Sequence, residues 1–164
     1  MVSLRECAIL LSDQDGGSDD APAADRSAPA AELRTEPKPG AGARILLVED
    51  EFLVGMEVEA GLKDAGFDVV GVAASAADAL ALATEERPLL VVMDVRLAGK
   101  DDGVDAALAI YHQLGIRSLF ASAHVDAQVR ARAAGAMPLG WLSKPYRVSL
   151  LVAAVERALA ELGR

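Results

Sequence analysis

The chain has 164 residues, of which 52% are hydrophobic, and this is enough to bury the core of one domain. Its 25 acidic residues outnumber 16 basic ones, giving a net charge of −9. A sequence-independent grip on nucleic acid needs clustered Lys and Arg, so this balance argues against direct nucleic-acid binding.

Residues 1–43 differ in composition from the rest of the chain. Ala, Pro, Gly, Asp and Ser dominate from Ser12 to Ala43 without sustained periodicity, which predicts a disordered tail. The only cysteine, Cys7, excludes an intrachain disulfide, and the apolar stretch around it is too short to span a bilayer. We therefore expect a cytoplasmic protein without membrane insertion. The tail is interpreted either as a docking segment, or as a plain solubilising leader or the result of a start codon placed too early.

From Arg44 onward, strand and helix patterns alternate with short connections. Apolar runs predict five strands, and segments bounded by capping residues or glycines predict five helices. In chain order these are a strand at 45–48, a helix at 52–65, a strand at 69–72, a helix at 76–86, a strand at 89–93, a helix at 104–114, a strand at 118–121, a helix capped by Asp126 and running to 134, a strand at 140–143 and a helix at 148–162. Strict alternation predicts an α/β fold with a parallel sheet covered on both faces.

Polar side chains follow four of the predicted strands. Glu49 and Asp50 follow the first strand, Asp94 the third, Ser122 the fourth and Lys144 the fifth. The carboxyl ends of parallel strands line one crevice, so these groups should converge there. Taken singly, each has a simpler interpretation as a helix cap, a turn residue or a solvated side chain. Three acids, a hydroxyl and an amine at one edge instead favour a magnesium-dependent phosphoryl-transfer site.

At this point the residues resemble the receiver domains of bacterial response regulators. The resemblance covers Arg44 to Leu162 and implies a (βα)5 flavodoxin-like fold, with a receiver domain at 44–164 after the tail. Only 19 residues follow Pro145, so we expect a stand-alone receiver without an output domain. A narrower likeness is to single-domain receivers with Phe-Ala-Thr-Gly and Lys-Pro-Tyr motifs. The resemblance rests on four motifs in order, Val48-Glu49-Asp50, Met93-Asp94, Phe120-Ala121-Ser122-Ala123 and Ser143-Lys144-Pro145-Tyr146.

The acidic residues suit Mg²⁺, which prefers oxygen ligands and needs only one or two direct carboxylates. We expect Asp50 and Asp94 to bind the metal directly and the longer Glu49 to act through a coordinated water. Three carboxylates in one pocket repel each other, so at least one pKa should rise when no cation is bound. The resemblance adds the backbone carbonyl of Arg96 to the metal ligands.

Asp94 is the expected phosphoacceptor, because an aspartate can form an acyl phosphate. The resemblance implies that the donor is a phosphohistidine on a sensor histidine kinase or a histidine phosphotransfer protein. Lys144 and the Ser122 hydroxyl with the Ala123 backbone N–H should stabilise the phosphoryl oxygens. Pro145 resembles the cis-proline turn of the family, which would aim the lysine inward. We expect no independent substrate turnover beyond phosphorylation and autodephosphorylation of the protein itself.

Several residues depart from the family pattern. Ser122 stands where Thr is commoner, and it loses a methyl group that restricts the rotamer. Trp141 occupies the place of a Tyr or Phe that turns inward on activation, and the bulk of indole makes a full rotation doubtful; it is otherwise a half-buried surface aromatic. The resemblance implies that Arg96 and His124 stand where receivers flank the attacking water, and these two residues predict an altered aspartyl-phosphate lifetime.

Three weaker features lie outside the expected phosphorylation site. The Asp-rich loop before the third helix lacks the ligand spacing of a calcium-binding loop. We expect Asp101 or Asp102 to cap that helix instead. His112 is most simply a surface residue. Leu150, Leu151, Val155 and Leu159 of the last helix are either core or a face for a homodimer.

Two functions from different classes stay open. In the first, phosphorylation of Asp94 switches the binding of a downstream protein target. In the second, the domain is a phosphorylation-independent scaffold on a receiver fold. A haloacid-dehalogenase-like phosphatase is disfavoured, because Arg96 stands where a second acid is needed. A nucleotide-binding enzyme is disfavoured as well, because no nucleotide-binding glycine loop follows the first strand.

Overall fold

The computed structural model describes residues 40–100, 102–123 and 125–163. The predicted disordered tail lies outside these residues up to position 39, and so do Asp101 and His124. Within the described part, strands and helices alternate as the sequence predicts. They are β1 Arg44–Val48, α1 Phe52–Asp64, β2 Asp68–Ala73, α2 Ala76–Glu86, β3 Leu90–Met93, α3 Gly103–Leu114, β4 Ser118–Ser122, α4 Ala127–Ala133, a 3₁₀-helix Ala134–Ala136, β5 Gly140–Ser143 and α5 Val148–Leu162.

The five strands form one sheet in the order β2-β1-β3-β4-β5, and every neighbouring pair is parallel. This is the flavodoxin-like order, whose switch point lies between β1 and β3. There Val48 is in register with Met93, and the Asp94 backbone N–H donates to the Val48 carbonyl at 3.0 Å. The predicted fold class is therefore confirmed, and the residues that follow β1 and β3 emerge side by side.

Alternation along the strands divides the core into two layers. In β1, Ile45 and Leu47 pack in the layer that includes residues of α1 and α5, whereas Leu46 and Val48 pack in the layer that includes residues of α2 and α3. All four are almost fully buried. Burying such a side chain contributes roughly 1.5–3 kcal/mol each, so the central strand is firmly fixed. A fixed strand end is what positions the polar residues that follow it.

The helix ends follow local signals in the sequence. Asp102 caps α3 and Gly115 ends it in the left-handed region, at φ 72°. Asp126 caps α4, but this helix stops at Ala133, and the predicted last residue, Ala134, begins a 3₁₀ turn instead. Gly135 marks the end of the helical segment, but the alanines around it do not show whether the last turn is α or 3₁₀.

The last helix packs its apolar residues mainly inward. Leu151, Val155 and Leu159 are buried in the core, and only Leu150 of the four candidates for a dimer face is largely exposed. His112 is exposed, as predicted. Among the described residues, no helix has the length and apolar character needed to cross a membrane.

Candidate functional site

Three carboxylates meet at the carboxyl ends of β1 and β3. Oxygen atoms of Glu49, Asp50 and Asp94 all lie within 4.8 Å of one another. Glu49 and Asp94 are only 4% and 7% exposed, whereas Asp50 is open to solvent. We call these three residues the acidic pocket. Two of its members are buried, and one faces the side from which an ion can enter.

Lys144 reaches the acidic pocket from the end of β5. Its Nζ donates to Glu49 Oε2 at 2.5 Å and to Asp94 Oδ2 at 2.6 Å. The Lys144 backbone N–H donates to the Ser122 carbonyl at 2.9 Å, and the peptide bond to Pro145 is cis. The structure thus brings one amine and three carboxylates, predicted from three separate strand ends, into one cluster.

Burial and charge oppose each other in this cluster. Burial raises the pKa of Glu49, and the nearby Asp94 charge adds to that rise, while Lys144 opposes it. One pKa was expected to rise through repulsion, and the leading cause is instead the loss of hydration. For Lys144, burial would lower the pKa, but the hydrogen bonds and charges of Asp94 and Glu49 outweigh it and raise the pKa. The lysine is therefore an ammonium at neutral pH.

Ser122 and Ala123 close the cluster on the β4 side. Ser122 is the last residue of β4 and is fully buried, and Ala123 is exposed directly after it. Ala123, Lys144 and Tyr146 line a groove of about 380 Å³ beside α1. Burial raises the pKa of Tyr146 to about 12. Sequence reasoning gave Tyr146 no role, although its place in the Lys-Pro-Tyr motif was the available signal.

The loop after β3 holds Asp94 through its backbone. The Arg96 N–H donates to Asp94 Oδ1 at 3.1 Å, while the Arg96 side chain is exposed. Asp94 therefore has one carboxylate oxygen on Arg96 N–H and the other on Lys144, which fixes the orientation of the carboxylate. His124, the other predicted tuning residue, lies outside the described residues.

Trp141 lies between two other side chains. Its ring stacks on the buried Phe120, with centroids 4.4 Å apart and planes at 11°, and the Arg130 guanidinium lies 5.0 Å from the Trp141 ring centroid. Such cation–π contacts contribute about 0.5–1 kcal/mol at exposed sites. Sequence reasoning did not find Arg130, because its contact depends on where α4 packs against β5.

The donor set of the acidic pocket fits Mg²⁺. Carboxylate oxygens are the ligands that this ion prefers, and it keeps several waters, so an open side of the pocket is an advantage. Three carboxylates against the single ammonium of Lys144 leave an excess of negative charge. A divalent cation would neutralise that excess.

Comparison with known proteins identifies the family. Residues 45–156 match the family model described as the response regulator receiver domain. The chain belongs to this family. Acidic pockets of receiver domains bind Mg²⁺, so the receiver's carboxylate cluster is the expected metal site of its family.

Relatives of this receiver include a transcriptional regulatory protein and a phyllosphere-induced regulator. It is 39% identical over 119 residues to the transcriptional regulatory protein PdtaR of Mycobacterium tuberculosis, covering 71% of this chain and 57% of PdtaR. It is 29% identical to the phyllosphere-induced regulator PhyR of Methylorubrum extorquens, covering 70% of this chain and 43% of PhyR. The receiver thus spans about half the length of the curated relatives it matches.

Solved structures of proteins from several bacteria have the same fold. The signal receiver domain of a modulated diguanylate cyclase from Desulfovibrio desulfuricans superimposes with a TM-score of 0.69 at 28% identity, covering 74% of this chain and 97% of that one. The response regulator PhyR from Brucella abortus gives a TM-score of 0.64 at 29% identity, covering 76% and 51% of the two chains. The receiver fold is therefore shared with a solved signal receiver domain and a solved response regulator.

Proposed function

We propose that this receiver accepts a phosphoryl group on Asp94 in the presence of Mg²⁺ and thereby changes its binding to a downstream protein. The observation that carries the proposal is the position of the Lys144 ammonium, within hydrogen-bond distance of both Asp94 and Glu49 in the acidic pocket. An ion pair that served stability alone would not need a second buried carboxylate and an exposed third one at the same point.

Phosphoryl transfer replaces the N–P bond of the donor with an O–P bond to Asp94. An oxygen of Asp94 attacks the phosphorus of a phosphohistidine, the N–P bond breaks, and its electron pair stays on the imidazole of the donor. Lys144, which already contacts Asp94, stabilises the negative charge on one phosphoryl oxygen. We assign the Ser122 hydroxyl and the Ala123 N–H to a second oxygen.

Glu49, Asp50, Asp94 and the Arg96 carbonyl are the proposed protein ligands of the metal. When bound, Mg²⁺ supplies positive charge at the phosphoryl oxygens. The donor is proposed to be a sensor histidine kinase or a histidine phosphotransfer protein, and the setting cytoplasmic. The protein acts as a phosphoacceptor and not as an enzyme with a separate substrate.

The test is incubation with acetyl phosphate, with and without Mg²⁺, followed by intact mass measurement. The wild type should gain a phosphoryl adduct that requires Mg²⁺, because the C–O–P anhydride of acetyl phosphate replaces the donor and acetate leaves. Asp94→Asn should gain none. Asp64→Asn, which changes an exposed carboxylate at the last position of α1, should behave as the wild type. An adduct that persists in Asp94→Asn would contradict the proposal.

One observation favours the alternative of a phosphorylation-independent scaffold. Trp141 contacts both Phe120 and Arg130, and these two contacts oppose a large rotation of the indole. The fluorescence of this single tryptophan separates the two functions. A switch predicts a change in emission on phosphorylation, and a scaffold predicts an adduct without such a change.

A further inference from the structure

Helix α4 is joined to the start of α3 by one arginine. Arg132 donates from Nη1 to Asp102 Oδ2 at 2.8 Å and from Nη2 to Asp102 Oδ1 at 3.1 Å, and Nη2 also donates to Asp105 Oδ1 at 3.0 Å. Bidentate contacts of this kind fix direction as well as distance. Arg132 therefore links α4 directly to the first turn of α3.

That first turn is itself tightly built. The Asp102 side chain accepts from the backbone N–H groups of Val104 and Asp105, and the Asp105 side chain accepts from the Asp102 N–H, which completes a capping box. The Arg132 hydrogen bond and charge help to hold the pKa of Asp102 below its usual value, against the effect of burial. The Asp102 carboxylate thus caps α3 and also binds Arg132 of α4.

The same turn touches the backbone of the proposed phosphoacceptor. Gly103 is buried, and a Cβ placed on it would lie 1.8 Å from the Asp94 carbonyl oxygen. The Gly103 N–H donates to the Val95 carbonyl at 2.8 Å. A displacement of the first turn of α3 must therefore be transmitted to the chain at Asp94, because no free space separates them.

We propose that Arg132 is a positioning residue that connects helix α4, through Asp102 and Gly103, to the backbone of Asp94 and thereby raises the rate at which Asp94 accepts a phosphoryl group. This inference rests on the proposed function. It adds a residue on α4, outside the acidic pocket, whose contacts affect the phosphoacceptor. The connection is a continuous series of contacts, each with a stated geometry.

The experiment compares Arg132→Ala with the wild type in the acetyl phosphate reaction. Couplings through packed elements correspond to changes of about 2- to 30-fold, and we expect the rate of adduct formation on Asp94 to fall within that range. Arg132→Lys keeps the charge but not the bidentate geometry, and its rate should lie between the two. If Arg132→Ala fails to fold, the rate of adduct formation is compared between Arg132→Lys and the wild type.

Glu161→Gln is the matched control. It breaks an exposed ion pair of the same type, Arg117 Nη2 to Glu161 Oε1 at 2.8 Å, at the opposite end of the sheet. Loss of an exposed ion pair should lower the melting temperature of both variants slightly. Only the Arg132 variants should change the rate, and an equal rate change in Glu161→Gln would overturn the proposal.

A second readout separates this inference from the proposed function. Amide NMR shifts of Gly103, Asp94 and Arg96 require no phosphorylation. They should move in the Arg132 variants and stay in place in Glu161→Gln. Unmoved amides would refute the connection even where the wild type gains an adduct; moved amides in a protein that gains none would uphold the connection and refute the proposed function.

Discussion

Ionisation of Glu49 is unfavourable in the folded protein. Its carboxyl group is buried, and it shares the Lys144 ammonium with Asp94. A buried carboxylate without its full share of positive charge is unfavourable, which is why its pKa is raised. A bound cation would supply positive charge that offsets this cost.

This gives a pH prediction for Glu49→Gln, measured by urea unfolding in the presence of a chelator. A raised pKa means that the folded state binds the proton more tightly than the unfolded state. The contribution of Glu49 to stability is thus fully present below its ordinary pKa of 4.5 and is lost as the pH rises through the raised value. We expect the wild type to lose stability relative to Glu49→Gln across that window. A difference in the free energy of unfolding between the two proteins that does not change over this pH range would refute the prediction.

At the scale of elements, α1 and α5 approach each other closely at one glycine. A Cβ on Gly61 would lie 2.1 Å from Val148 Cγ1. Ala is favoured over Gly within a helix by about 1 kcal/mol, but inserting a methyl group into a packed contact costs about 1–3 kcal/mol. The steric cost should exceed the gain in helix propensity.

We therefore predict that Gly61→Ala lowers the free energy of unfolding by about 1 kcal/mol, measured in urea. Val148→Ala, which empties the contact, should make the same substitution neutral or stabilising. Gly163→Ala is the control, because its Cβ would have only an ordinary contact, 3.7 Å from the Leu159 carbonyl oxygen. Additive effects of Gly61→Ala and Val148→Ala would show that the two helices do not meet there as described.

The elements also show what the sequence could and could not predict. Strand ends and caps were predictable because Asp94, Asp102 and Gly115 carry local signals, and the parallel topology then implied that the strand ends meet. The contacts of Arg130 and Arg132 were not predictable, since each depends on how α4 lies against its neighbours. A seven-residue helix that combines Ala, Gln and Arg with a single Val carries little apolar pattern from which to infer that packing.

At the scale of the whole molecule, Mg²⁺ should stabilise the folded protein. A ligand that binds only the folded state adds about 2.7 kcal/mol at 100 times its dissociation constant. We expect the melting temperature to rise with Mg²⁺ in the wild type, and much less in Asp50→Asn, which removes the exposed member of the acidic pocket. Asp64→Asn should retain the full rise. Equal rises in all three proteins would place the metal elsewhere.

The position of Lys144 in the sequence fixes the order in which the charged residues of this site are synthesised. Glu49 and Asp94 leave the ribosome with β1 and β3, whereas their shared counter-ion follows β5. An emerging chain with only four strands holds two carboxylates that it can bury only at a cost of several kcal/mol each. We infer that the Glu49 and Asp94 side chains stay hydrated until β5 joins the sheet. The proposed phosphoacceptor is then among the last residues of the nascent domain to be buried.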